Sequence, residues 1–137
     1  MIFESKSKIY DERNSRYIAE WCLDTNTQTV IQTNKNTLES REWSFHEECV
    51  RYHLHYREEH SPELLQKMID EGVVLQYLEE LVIKVKDKIE EQKEIWCNED
   101  KAFLIANETG NLPELCRIAN SYKEQAKDSI YDVYVYV

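Results

Sequence analysis

Hydrophobic and polar positions alternate near the start of the chain, then recur every three or four residues. Tyr17, Ala19, Trp21 and Leu23 fall on one side of an extended segment, with Ile18, Glu20 and Cys22 on the other. That is the period-two pattern of a half-buried strand. Asp11-Glu12-Arg13-Asn14 and Asp24-Thr25-Asn26-Thr27 flank it as turn clusters, and Thr29-Val30-Ile31-Gln32-Thr33 offers a β-branched return strand. With Ile2-Phe3, residues 1–36 predict a small antiparallel hairpin or meander. Two or three strands are not stable alone, so this sheet must lie on helices.

From residue 37 the period lengthens. Asn36 or Thr37 as a cap, with Glu39 reaching back, predicts a first helix from about Leu38 to about His60. At 100° per residue, Phe45, Cys49, Tyr52 and Tyr56 form one flank of its apolar arc and Trp43, Val50 and Leu54 the other, with His46, His53 and His60 between them. Ser61-Pro62-Glu63 is a second start signal, giving a short helix to Glu71 that Gly72 closes. A long third helix then starts near Val73 and continues to Ile95 or beyond, with Val74, Leu78, Leu81, Val85, Ile89 and Trp96 along one stripe. Cys97-Asn98-Glu99-Asp100 marks an interruption before Ala102-Phe103-Leu104-Ile105-Ala106. Asn111, Pro113 and Glu114 start a last helix, whose narrow stripe of Leu115, Ile118, Ala119, Tyr122, Ala126 and Ile130 suits antiparallel packing along the third. Asp132 to Val137 alternates strictly and predicts a C-terminal strand or tail.

The expectation is a mainly helical α+β fold. Residues 1–137 form one domain, divided into a β-hairpin or meander (1–36), three to four helices that include a long antiparallel pair (37–131) and the final strand or tail (132–137). Only two glycines and two prolines in 137 residues, with 32% charged side chains, fit this helical weighting.

Charge changes the picture more than composition does. The formal net charge is -10, and residues 61–111 carry twelve acidic against six basic side chains. Such a surface repels phosphate backbones and attracts a basic protein. Glu79, Glu80, Asp87, Glu90, Glu91 and Glu94 are the candidate partner-binding residues, since acids spaced along a rigid helix can imitate a nucleic-acid backbone. Pairs such as Asp87-Glu91 and Lys84-Lys88 are like-charged at i,i+4, so the run is a solvated face and not an ion-pair ladder. Four scattered cysteines without a CxxC motif read as reduced thiols, no signal-like segment opens the chain, and no apolar run approaches membrane-spanning length. A cytoplasmic, soluble protein without a cofactor is expected.

Two other chemistries have a basis in the residues. His46, Cys49 and His53 at i, i+3 and i+7 would let imidazoles and a thiolate converge on zinc, with His60 or a carboxylate completing the shell. The plainer reading of the same residues is a polar-aromatic seam between helices. Ser61 to Leu81 has the outline of a helix-turn-helix, although its second helix opens VVLQYLEEL, too apolar and acidic to face phosphates. No phosphate loop, GxSxG or HExxH is present, and adjacent acids such as Glu90 and Glu91 point about 100° apart on a helix, so catalysis is not expected.

Tyr56-Arg57-Glu58-Glu59-His60, Met68-Ile69-Asp70-Glu71-Gly72 and Gln76-Tyr77-Leu78 resemble the Y-L-K-E-H-R, L-L-x-S-G and x-Y-L pattern of the TnpV-type transposon-encoded proteins, at matching intervals. Ile2-Phe3-Glu4, Tyr10 and Tyr17-Ile18 are similar to that family's opening, and Arg117-Ile118-Ala119-Asn120 through Ala126 to its R-M-N-N-x-R-x-x-A helix. The family's Pro-rich loop before the first helix is replaced by Gln32 to Glu42, and its S-G turn by Glu71-Gly72. The resemblance implies a small accessory protein of a bacterial mobile element. Combined with the charge, the expected function is non-catalytic binding of a basic nucleic-acid-handling protein, as an anti-CRISPR-like inhibitor of host defence by nucleic-acid mimicry, with a homodimer as one possible state. The alternatives are a DNA-binding or transposition accessory factor and a metal-binding protein.

Overall fold

The computed structural model describes all 137 residues. Its elements are β1 (Ile2–Glu4), β2 (Lys8–Asp11), β3 (Arg16–Ala19), β4 (Trp21–Asp24), β5 (Thr29–Thr33), β6 (Ser40–Ser44), α1 (Glu48–His60), α2 (Pro62–Asp70), α3 (Val74–Glu99), α4 (Lys101–Thr109) and α5 (Leu112–Tyr134). With 58% helix and 18% strand, the fold is α+β and mainly helical, as the periodicities predict. The chain forms two compact units, Met1–Val82 with Tyr136–Val137, and Ile83–Val135.

In the first unit, an antiparallel sheet in the order β1-β4-β5-β6 rests on helices. Phe3, Leu23, Val30 and Trp43 are successive cross-strand partners, so one row of large side chains crosses all four strands. Its first three members are buried, as are Val50 and Leu54 of α1 and Leu65 and Ile69 of α2. The α2 helix lies against β1 and β4, and is tied there by Gln66 Nε2 donating to the Glu4 carbonyl at 2.7 Å and the Lys6 amide donating to Asp70 at 2.9 Å.

The single strand expected over Tyr17 to Leu23 divides at Glu20 into β3 and β4. Glu4 pairs with Cys22 and Lys8 with Ala19, so four steps on one strand face three on the other. One extra residue is a bulge, which turns β2 and β3 into a separate two-stranded ribbon.

Two further expectations are corrected. Residues 38–47 are not helical. The Asn34 side chain accepts from the amides of Asn36 and Thr37 at 2.8 and 3.2 Å, the Asn34 amide donates to the Glu39 carbonyl, and Leu38 takes a left-handed φ of +61°. The polar residues that resemble a helix cap therefore close a hairpin, and β6 returns along β5. At the other end, Asp132 to Tyr134 continues α5, with the Val135 amide donating to the Tyr131 carbonyl at 2.9 Å. Helical bonds satisfy this backbone within its own segment, whereas a strand there would need a neighbour.

In the second unit, Trp96 and Tyr122 rings lie 6.0 Å apart, and Lys84 Nζ sits 4.7 Å from the Tyr134 ring. Contacts in reversed order at equal spacing make α3 and α5 the expected antiparallel pair. Asp100 caps α4 by accepting from the Phe103 amide at 3.1 Å, and Asn111 caps α5 by accepting from Glu114 at 3.4 Å. Val85, Cys97, Ala106, Ile118 and Ala126 are buried here. No helix is long and apolar enough to cross a membrane.

Candidate functional site

The histidine stripe does not form, because its first member is outside the helix. His46 is exposed in the segment between β6 and α1, while Cys49 and His53 are buried on α1. His60 ends α1 with its exposed ring 4.3 Å from Tyr56. No group of three or more His, Cys, Asp or Glu side chains is placed to hold a metal ion, so the one-face ligand set of His46, Cys49, His53 and His60 is not realised. The polar-aromatic seam is present instead. His53 is fully buried, with Nε2 2.7 Å from the Tyr77 hydroxyl, and joins α1 to the first turn of α3. A buried imidazole must keep such a partner, because an unmet polar group there costs about 1–3 kcal/mol.

The candidate acids are all exposed. Glu79 and Glu80 lie in the first unit, where Gln76 donates to Glu80 at 3.0 Å. Asp87, Glu90, Glu91 and Glu94 lie in the second, within an arc of about 100° on the side of α3 away from Val85 and Ile89. Lys93 pairs with Glu90 and Lys88 with Glu91. Exposed pairs of this kind contribute about 0–1 kcal/mol, so a partner's cations can replace the lysines.

The structure redistributes the charge. The first unit holds sixteen acidic and nine basic side chains, and the second eleven and eight, which together account for the 27 acids and 17 bases. Most of the excess therefore belongs to the first unit, where Glu47, Glu48, Glu58, Glu59, Glu63, Asp70 and Glu71 sit on or beside α1 and α2. A division of the sequence at residues 61 and 111 cuts across this grouping and assigns too much of it to the later part of α3.

In the second unit Asp100 has a structural role. Its carboxyl is held below the ordinary carboxylate range, first by the Tyr122 hydroxyl and then by the Phe103 amide, with burial opposing. Glu114 is likewise lowered by Arg117, which donates to it from Nε at 3.0 Å. Cys22 is half-buried, Cys49 and Cys97 are buried and Cys116 is exposed; burial pushes the Cys22 and Cys97 thiols up, which disfavours their nucleophilic form. The α2 and α3 helices are joined through Glu71 to Val73, but the first turns of α3 bury Val74 and Leu78 and present Gln76, Glu79 and Glu80 to solvent. Acids at the exposed positions of the second helix oppose a phosphate backbone.

The chain matches no known family model, no curated protein and no solved structure.

Proposed function

We propose that this protein is a non-catalytic accessory factor of a phage or bacterial mobile element, acting in the cytoplasm. It binds a basic nucleic-acid-handling protein through acidic helix faces and occupies the groove that nucleic acid would fill, as an inhibitor of host defence. The observation that supports this most is the exposure of all six named acids on α3, in a chain of net charge -10. Fixed negative charges on a helix steer a cationic surface toward it and favour a partner of complementary potential. The TnpV-like motifs supply the mobile-element setting. The larger excess of acids in the first unit makes Glu79 and Glu80, with the acids of α1 and α2, the principal docking charges.

The test is affinity capture from a bacterial host lysate in low salt, with wild type beside a variant carrying lysine at 79, 80, 90, 91 and 94. Wild type should retain a basic nucleic-acid-binding protein that the variant loses. Equal capture by both forms, or capture of acidic proteins only, would refute the proposal.

A further inference from the structure

The α4 helix is fixed at both ends and packed on one side only. Asp100 caps its start by accepting from the Phe103 amide at 3.1 Å, and Gly110 closes it in a left-handed conformation with φ of +69°. Its packed side carries buried Ala106 and half-buried Phe103, with α5 as its neighbour. At 100° per residue the opposite side presents Lys101, Leu104, Ile105 and Glu108 within an arc of about 100°. All four are exposed, Leu104 to 42% and Ile105 to 60%. Two branched apolar side chains thus stand at the centre of an outward stripe, with one charge at each end.

Those charges sit at the wrong ends for the helix that carries them. Lys101 begins α4, where the helix dipole is positive, and Glu108 lies in its last turn, where it is negative. Neither forms an ion pair or a side-chain hydrogen bond within the chain. A second α4 running antiparallel answers both charges. The stripe is symmetric about the midpoint between Leu104 and Ile105, from which Lys101 and Glu108 each stand about 5 Å along the axis. Turned through a two-fold axis at that point, Leu104 meets Ile105 of the second copy, and Lys101 meets Glu108 of the second copy at either end. Each charge then also lies at the favourable end of the other helix dipole. We propose that the outer face of α4 pairs two copies of this chain antiparallel about a two-fold axis, with Leu104 and Ile105 at the centre and Lys101–Glu108 ion pairs at both ends. The chains share a net charge of -10 and repel one another, but residues 101–109 hold one base and one acid. Charges farther away are screened beyond about 8 Å at physiological salt. Two nine-residue helices bury less than the roughly 1,200 Å² of a stable interface, so the dimer is weak and exchanges. This pairing is independent of the charge-based reading above, because neither Lys101 nor Glu108 is among the docking acids.

The test is sedimentation equilibrium of the full chain at about 0.15 M salt, from about 10 μM to about 1 mM. Wild type should pass from monomer to dimer, with half-association on the order of 0.1 mM. Lys101→Glu and Glu108→Lys each place like charges at both ends, and each should weaken association about tenfold. The chain carrying both exchanges, and an equimolar mixture of the two single variants, should return to within about threefold of wild type. Each exchange suits the dipole of α4 itself, so melting temperatures at about 10 μM should hold or rise while association falls. Leu104→Asp should leave monomer throughout; if it does not fold, Ile105→Ser should weaken association about tenfold. Wild type that stays monomeric at about 1 mM overturns the proposal. So does a dimer that the folded Leu104 or Ile105 variant leaves intact, or single charge variants whose mixture fails to recover.

Discussion

Gly72 and Gly110 share a left-handed backbone, with φ of +71° and +69°, but not the same surroundings. A Cβ at Gly72 would lie 2.9 Å from Trp21 Nε1, whereas one at Gly110 would meet nothing within 4 Å. Gly110→Ala should therefore cost only the left-handed penalty, about 1 kcal/mol, and Gly72→Ala about 2–3 kcal/mol once the indole has to shift. Equal losses in thermal denaturation would show that Trp21 yields freely. Asp100 gives a prediction with a definite sign. Its folded pKa is depressed, so its stabilising contribution is present above the unfolded value near 4 and fades as pH falls through the lower folded value. Asp100→Asn should lower the melting temperature at neutral pH, and the two proteins should converge as the solution is acidified below about pH 4. A constant difference down to the lowest pH would remove the carboxylate from the account. Both kinds of residue were partly legible in the sequence. Gly72 and Asn111 were marked by their types, while the meeting of Asp100 with Tyr122 was not, since it joins residues 22 apart on different helices.

Elements were legible where a residue type could have one meaning. Pro62 and Gly72 bracket α2 as expected, and Asn111 caps α5, so Asn111→Ala should cost about 1 kcal/mol in a urea titration. Retained stability would mean that the weak 3.4 Å bond contributes nothing. Legibility failed where local chemistry serves two structures. Asn34 to Thr37 satisfies either a helix start or a hairpin turn, and only the open edge of β5, a long-range fact, decides for β6. The final alternation of valine and tyrosine likewise pairs with no strand, and α5 takes up its first half as far as Tyr134. The α1–α3 seam also needed the fold, because His53 and Tyr77 are 24 residues apart. Tyr77→Phe should cost about 1–3 kcal/mol by leaving His53 Nε2 without that hydroxyl. A melt within a few tenths of a degree of wild type would contradict this role.

For the whole molecule, net charge was plain in the sequence and its location was not. Counting along the chain places the acids on α3, whereas grouping by folded unit moves most of the excess to α1, α2 and the first turns of α3. The candidate acids survive as exposed groups, and the histidine ligand set dissolves because its helix begins ten residues later than the pattern implied. What remains central is the claim that acidic helix faces stand in for nucleic acid. The most direct measurement is a competition in which the captured basic protein is loaded with labelled duplex DNA and titrated with this chain. The account predicts that DNA is released as the chain binds, with a midpoint that rises when Glu79 and Glu80 are replaced by lysine. A stable ternary complex of chain, partner and DNA would contradict it.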